Sequence, residues 1–543
     1  MRAPFSRTLF DLLEEQAERY SGQVAVISGA SRATFRELAW AARRVAAALS
    51  AAGVACGDRV GTLINNRTEW LEICFGAAAI GAVVVPFSTW SKRRELDFLL
   101  ADSRVKILIT LDRFGDLEFA PDIAALVPEA RDARAGQWRS ARYPVLTQIV
   151  VLGSPGFAGA VDYSAFIEAH PPLAELPAPG EGARATEPAV VLYTSGSSAQ
   201  PKAVPLTHGG IIENGFNIGE RQGLRPGDRV LLAPPLFWSY GIANAMAATF
   251  THGATLVLQG RFEPAEAIDL IERHQCTAIY TLPGITSAIV LHPSFRRERT
   301  RSLRTGVTIG SPRDVQTAAE VLGASEICNI YGQTESYGNC CVSWHHWPLE
   351  RRMRVQGPPL PGVTVRIVAP GGGDPVKVGE VGLIEVKGHL TPGYDGASSG
   401  QNAAAFTPDG FFRSGDLGLI TPEGDLQFVG RDTEMIKKGG INIAPAEIEE
   451  LLQQHPAVAR AGVAGAADPE KGELVVAFVV RAPGATVSGE ELRAHCRSLA
   501  ATYKTPDRVE FCDTLPATPT GKLLRRELKR IAAGVYARDA RKD

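Results

Sequence analysis

VVLYTSGSSAQPKAVPLTH, residues 190–208, is the stretch from which the rest of the chain is read. Val190, Val191, Leu192 and Tyr193 form a short apolar run that predicts a buried strand. Residues 194–200 are small or turn-forming, and Pro201 and Lys202 stand behind them. A loop of Thr, Ser and Gly presents closely spaced backbone N–H groups and hydroxyls with little side-chain bulk. That is what wrapping a polyanion such as a triphosphate requires. Lys202 adds a mobile point charge for the β- and γ-phosphates. The spacing G-x-x-x-x-G-K-[ST] is absent, because Lys202 follows Pro201 and precedes Ala203. Taken by itself the stretch also reads as a flexible linker, since Gly/Ser segments often are.

A chain of 543 residues is too long for one core and predicts two or more domains. The formal charge of −2 is near neutral, and no Lys/Arg block stands out before the last twenty residues, so composition does not suggest nucleic-acid binding. The basic tail LLRRELKRIAAGVYARDARKD mixes acids with leucines at helical spacing and predicts a solvated terminal helix. No run of about 18 apolar residues exists. The longest candidate, FGAAAIGAVVVPF (75–87), reads as a buried helix turning into a strand. The first twenty residues show no signal-peptide h-region. Eight cysteines without paired spacing do not make a disulfide framework, and Cys340 and Cys341 read as buried thiols. The cytoplasm is the expected compartment.

Working outward from the opening stretch, residues 6–110 alternate helix and strand signals. An amphipathic helix is expected over 8–20, a strand at VAVIS (24–28), and a helix over 34–49. Thr34 followed by Glu37 gives that last helix a capping box. DRVGTLI (58–64), AVVVPF (82–87) and VKILIT (105–110) are strand-like, and this spacing predicts βαβ units with parallel sheet. Residues 111–188 read as looser, with a Pro/Ala-rich surface connection over 170–188. Alternation resumes with strands at 229–236, 254–259, 277–283 and 325–336 and a helix over 264–274. From about Arg354, glycines, prolines and alternating strands predict a β-rich subdomain. Beyond Arg431 a compact α+β piece is expected.

Five segments occur in order: YTSGSSAQPKAVPLTH (193–208), YGQTES (331–336), RSGDLG (413–418), GRDTEMIKKGGINIAPAEIE (430–449) and PTGKLLRREL (519–528). Together they resemble the adenylate-forming superfamily of acyl- and aryl-CoA synthetases, luciferases and peptide-synthetase adenylation domains. The match covers roughly residues 5–530. The resemblance implies an α/β fold: a large N-terminal domain of αβ-layered sheets with a β-rich subdomain (1–430), a hinge (431–434), and a small mobile α+β C-terminal domain (435–543). It implies ATP, Mg²⁺ and coenzyme A as cofactors or co-substrates. A carboxylate attacks the α-phosphate of ATP, giving an acyl-AMP and pyrophosphate, and a thiol then displaces AMP. A homodimer is an assembly the resemblance allows.

Residue by residue, the resemblance places Thr194, Ser195, Gly196, Ser197, Ser198 and Lys202 around the phosphates. Tyr331 and Gly332 fall at the adenine, with Gly310, Ser311 and Pro312 among the nucleotide contacts. Thr334 falls at the α-phosphate and Glu335 at the Mg²⁺, a hard cation that favours carboxylate oxygen. Asp416 is implied for both ribose hydroxyls and Arg431 for the ribose or phosphates. Lys522 is implied as the cation bridging substrate carboxylate and α-phosphate during adenylation, where charge builds on phosphorus. Rotation about the hinge is implied to bring in KKGGIN, with Lys437 catalytic and, with Gly439 and Gly440, facing the pantetheine thiol. The chain departs from the family at Thr433, where Asp or Lys is usual, and at Ala199 and Ala203, where glycine is usual.

The implied acid pocket takes Phe237, Trp238, Tyr240, Gly241, Thr281, Pro283 and Gly284. Many relatives have histidine where Trp238 stands, and the aromatic wall suits a flat or alicyclic apolar acid. The same aromatics also read simply as core. An α-amino acid is disfavoured, because a buried ammonium without a counter-charge is costly. The leading expectation is an acid–thiol ligase acting on an aromatic or alicyclic acid. Fatty acids of medium or long chain, or delivery of the acyl-AMP to a carrier-protein thiol or an amine, are alternatives. A nucleotide-binding regulator without catalysis is opposed by the joint presence of Glu335, Asp416, Arg431 and Lys522.

Overall fold

The computed structural model describes residues 3–173, 184–194, 201–369, 373–438, 441–468, 472–500, 502–518 and 523–539. Two large sheets carry the N-terminal part. The first has eight strands in the spatial order Cys341–Val342, Cys328–Tyr331, Thr305–Thr308, Ala278–Tyr280, Arg229–Leu232, Thr255–Leu258, Val24–Ser28 and Ser31–Thr34. Its six central strands pair in parallel, and both edge strands are antiparallel. The second has seven strands: Lys202–Thr207, Pro188–Thr194, Val83–Pro86, Arg59–Leu63, Ile107–Leu111, Gln148–Leu152 and Ala160–Asp162.

The helices between the sheets follow the expected pattern. Leu9–Arg19 starts at Thr8, whose side chain accepts from Asp11 N–H. Phe35–Ala51 starts with the capping box of Thr34 and Glu37. Thr68–Ala79 is apolar nearly all round, which is what burial between two sheets demands, and Gly76 lies where a Cβ would meet Val45 Cβ at 2.7 Å.

The opening stretch is a hairpin. Pro188–Thr194 pairs antiparallel with Lys202–Thr207, with Thr194 opposite Lys202 and Tyr193 opposite Ala203. Lys202 therefore begins a strand instead of trailing a loop. Ala203 is a buried strand residue whose carbonyl accepts from Asp395 N–H at 2.9 Å, so its methyl group is accommodated in the ladder. Ala199 lies outside the described residues.

Two expectations are corrected. The region after residue 110, read as loose, contributes Gln148–Leu152, a buried strand that pairs in parallel with Ile107–Leu111. The terminal helix Arg525–Asp539 is not merely solvated, because Leu528 and Ala532 are fully buried in a cluster with Ala464, Val476 and Phe478.

The β-rich subdomain is a four-stranded antiparallel meander: Thr364–Val368, Gly382–Lys387, Phe412–Ile420 and Leu426–Arg431. A single 3₁₀ turn, Asp432–Glu434, leads to Ile436–Lys438, which already belongs to the C-terminal sheet. That sheet centres on the long hairpin of Val458–Asp468 and Gly472–Arg481, covered by Pro445–Gln453, Gly489–Leu499 and the terminal helix. The N-terminal sheets and subdomain with the smaller C-terminal sheet make up the expected mixed α/β architecture.

Candidate active site

Parallel strands deliver their following loops to one edge of a sheet, and ligands gather there. In the eight-stranded sheet those loops, and the first residues of the helices and turns they lead into, carry Phe237 and Trp238, Pro283 and Gly284, Gly310 to Pro312, and Gly332 to Glu335. The chain thus brings together at one edge residues up to a hundred positions apart.

The turn Thr334–Ser336 follows strand Cys328–Tyr331, and Tyr337 closes it in the left-handed region at φ 58°. Neighbouring elements hold this strained residue. The Tyr337 carbonyl accepts from Asn214 at 3.1 Å and Asn244 at 2.7 Å, and its hydroxyl accepts from Thr207 N–H at 3.1 Å. Gly332 must be glycine, since a Cβ there would lie 2.5 Å from the Gly338 carbonyl oxygen. Glu335 is consequently buried but fixed in direction. Its Oε1 accepts from Tyr394 Oη at 2.8 Å. Ser239 Oγ lies 3.2 Å from Thr334 Oγ1, which ties the loop carrying Phe237 and Trp238 to the turn Thr334–Ser336.

Asp416 sits on the strand Phe412–Ile420 with its side chain turned toward Tyr331. Its Oδ2 accepts from Tyr331 Oη at 2.9 Å and Gln333 Nε2 at 2.6 Å. Its Oδ1 is buried, takes no hydrogen bond among the described residues, and lies 3.1 Å from Arg431 Nε. Ion-paired but without a hydrogen bond among the described residues, this oxygen has room for a further donor such as a sugar hydroxyl. Burial pushes the Tyr331 phenol well above its ordinary value, and the charge of Asp416 adds to it. The outer face of Tyr331 stacks on Phe428 at 5.7 Å.

Gly310, at φ 131°, precedes Ser311, whose side chain and Asp314 form a capping box for the helix that Pro312 begins. Next in sequence, Arg313 reaches the small domain and donates to the carbonyls of Gln453 at 2.7 Å and Val458 at 3.3 Å.

Asn66 grips the loop that carries Phe237 and Trp238. Its Oδ1 accepts from Leu236 N–H at 2.7 Å and its Nδ2 donates to the Pro234 carbonyl at 2.9 Å. Tyr240 opens a seven-residue π-helix, Tyr240–Met246, a form frequent at functional sites. Its hydroxyl donates to the carbonyls of Thr281 and Val307. Gly241 allows the chain to pass the Pro235 carbonyl, which a Cβ would approach to 2.2 Å. The Thr281 side chain is fully buried and its hydroxyl pairs with Thr286, so its carbonyl, not its hydroxyl, meets Tyr240.

Three residues that sequence reasoning missed complete the picture: Asn66, Trp90 and Tyr394. The Trp90 ring lies edge-on to Phe237 at 5.5 Å and to Trp238 at 5.2 Å, adding a wall from the other large sheet. Lys202 Nζ lies 4.4 Å from the Tyr394 ring centroid. Only the aromatic character of Trp90 and Tyr394 hinted at such roles.

Ser195, Gly196, Ser197, Ser198, Gly439, Gly440 and Lys522 lie outside the described residues, as do the side chains of Lys437 and Thr433. No group of three metal-ligating side chains occurs among the described residues. Glu335 alone fits a cation whose remaining ligands are phosphate oxygens and water, the usual arrangement for Mg²⁺.

Sequence comparison identifies the class. The family model for the AMP-binding enzyme matches residues 13–395, and that for the AMP-binding enzyme C-terminal domain matches residues 447–522. The chain belongs to the AMP-binding enzyme family. It is 34% identical over 508 residues to a feruloyl-CoA synthase of an Amycolatopsis species, covering 93% of this chain and 95% of that protein. It is 31% identical over 552 residues to the acyl-CoA ligase sidI of Aspergillus fumigatus, covering 98% of this chain and 92% of that protein. Among solved structures it resembles the anthranilate CoA ligase AuaEII in complex with anthranoyl-AMP, with a TM-score of 0.86 and 26% identity over 99% of this chain and 100% of that one.

Proposed function

We propose that the protein activates an aromatic or alicyclic carboxylic acid with ATP and transfers the acyl group to coenzyme A. The observation that carries this reading is the joining of two half-sites at one sheet edge. Asp416 and Tyr331 share a buried hydrogen bond of 2.9 Å on the nucleotide side, and Trp90, Phe237 and Trp238 form an apolar wall on the acid side. The similarity to a feruloyl-CoA synthase and an anthranilate CoA ligase supports an aromatic acid.

In the first step a carboxylate oxygen attacks the α-phosphorus, and the bond to the pyrophosphate oxygen breaks. Asp416 and Arg431 orient the ribose, and Thr334 donates to the α-phosphate. Lys202 and the hydroxyls and N–H groups of residues 194–198 hold the leaving pyrophosphate. Glu335 would hold magnesium, which when bound would supply charge neutralisation at the phosphates. Lys522 steadies the carboxylate against the phosphate. In the second step the pantetheine sulfur attacks the acyl carbon, its proton goes to solvent and AMP leaves, with Lys437, Gly439 and Gly440 lining the approach.

Division at 1–430, 431–434 and 435–543 is part of this proposal. Its support is that the subdomain sheet ends at Arg431 and the next strand joins the other sheet. Among the described residues no helix is long and apolar enough to cross a membrane. We also assign the enzyme to the cytoplasm, where its eight free cysteines, most of them buried, would stay reduced. A homodimer is the assembly to be weighed by sedimentation.

The test is pyrophosphate release from ATP across a panel of aromatic, alicyclic and aliphatic acids. Selective release with aromatic or alicyclic acids is expected, and release with no acid in the panel would refute the reading. In the same assay Lys522→Ala should abolish acid-dependent release yet keep thioester formation from supplied acyl-AMP.

A further inference from the structure

We propose that Tyr394 is a positioning residue that keeps Glu335 and Lys202 apart and available, Glu335 for the metal and Lys202 for phosphate. This rests on the assignment of those two roles above. Tyr394 is 7% exposed, on the loop that follows strand Gly382–Lys387. Its hydroxyl donates to Glu335 Oε1 at 2.8 Å, and the Lys202 ammonium sits over its ring at 4.4 Å. Among the described residues Lys202 forms no ion pair with a carboxylate.

Without the ring between them, the ammonium over its face and the carboxylate at its hydroxyl are free to pair directly. That pairing would commit the carboxylate oxygen a cation needs and the ammonium a phosphate needs. The phenol separates them and satisfies both. A phenol that donates to a carboxylate becomes more electron-rich, which strengthens the attraction of its face for a cation. With Oε1 committed to the phenol, Glu335 offers Oε2 to the metal.

The loop is built to hold this ring still. Tyr394 N–H donates to Asn402 Oδ1 at 2.9 Å, and the ring packs on Phe406 at 6.4 Å. On one side Thr391 N–H donates to the Glu335 carbonyl at 2.8 Å, and on the other Asp395 N–H donates to the Ala203 carbonyl at 2.9 Å. Asp395 is in turn paired with Arg59 at 2.5 Å. The loop therefore braces the metal turn and the phosphate hairpin at once.

Two substitutions separate the contacts. Tyr394→Phe keeps the ring face and loses the hydroxyl, whereas Tyr394→Leu loses both. On the full-length protein, Mn²⁺ binding in the presence of a non-hydrolysable ATP analogue is read by electron paramagnetic resonance. Metal-free binding of the analogue is read by calorimetry, and melting curves monitor folding. Tyr394→Phe should weaken Mn²⁺ binding about tenfold, the size of one charge-assisted hydrogen bond, and leave metal-free nucleotide affinity unchanged. Tyr394→Leu should weaken both. Wild-type Mn²⁺ affinity in Tyr394→Phe, or equal loss of metal-free affinity in the two variants, would overturn the inference. Should Tyr394→Leu fail to fold, the Phe variant decides alone. Wild-type protein that binds the metal and nucleotide but releases pyrophosphate with no acid would overturn the functional reading and leave this inference standing.

Discussion

Removing the carboxamide of Asn66 tests how the aromatic wall of Phe237 and Trp238, the proposed acid pocket, is held. Asn66 is 4% exposed and bonds both the Leu236 N–H and the Pro234 carbonyl. The loop it grips begins Pro234-Pro235, and neither proline has an N–H of its own to anchor the chain. Asn66→Ala leaves one buried N–H and one buried carbonyl without partners. At about 1–3 kcal/mol for each, the total cost is about 2–6 kcal/mol, shared between global stability and the position of Phe237 and Trp238. Urea unfolding reads the first share. The ratio of acid kcat/KM between variant and wild type reads the second, at about tenfold per 1.4 kcal/mol. The KM for ATP should move much less, because Tyr331 and Asp416 are held by other contacts. Asn66→Asp, which keeps the acceptor for Leu236 N–H, separates the two bonds. A loss below about 0.5 kcal/mol, the range of an ordinary surface change, with acid kinetics unchanged would refute the reasoning.

Asp416→Ala should raise the KM for ATP by about ten- to a hundredfold, the value of one or two hydrogen bonds to a charged group, with little effect on acid preference. Steady-state kinetics with each substrate varied checks this. Trp90→Ala opens the wall against Trp238 and should shift the rank order of acids toward bulkier ones in the panel assay; a uniform loss across all acids would contradict it. His208 supplies a pH dependence. Burial lowers its pKa to about 4 from 6.5, and its Nδ1 accepts from Leu9 N–H at 3.3 Å, so the folded protein holds the ring neutral. The folded state binds fewer protons here than the unfolded chain. Its contribution is full above pH 6.5 and is lost as pH falls from 6.5 toward 4, by up to about 3 kcal/mol. Stability curves of wild type and His208→Gln measured from pH 7.5 to 4 should therefore converge, and parallel curves would contradict the assignment.

Sequence pattern located the elements where local signals are strong. Thr34 with Glu37 marked a helix start, and Pro264 to His274 marked a whole helix, because caps and periodicity act within a few residues. Gln148–Leu152 escaped notice because a short apolar run between prolines and glycines looks the same as loop until its partner Ile107–Leu111 is known. The second half of the opening hairpin was missed for a similar reason. Lys202 and Pro205 are poor strand formers, and the ladder with Pro188–Thr194 overrides their preference. At the candidate site, the sequence motifs named the residues, but not the side chains that hold them. Asn66 acts on a loop 170 positions away, and Tyr394 acts on Glu335 at a separation of 59. No local pattern encodes such pairings.

Mass analysis of one reaction, with and without coenzyme A, tests the central claim most directly. With ATP, magnesium and an aromatic acid that supports pyrophosphate release, the account predicts acyl-AMP on the enzyme when coenzyme A is absent. It predicts free acyl-CoA with stoichiometric AMP when coenzyme A is present. Acyl-AMP that persists unchanged after coenzyme A is added would contradict it.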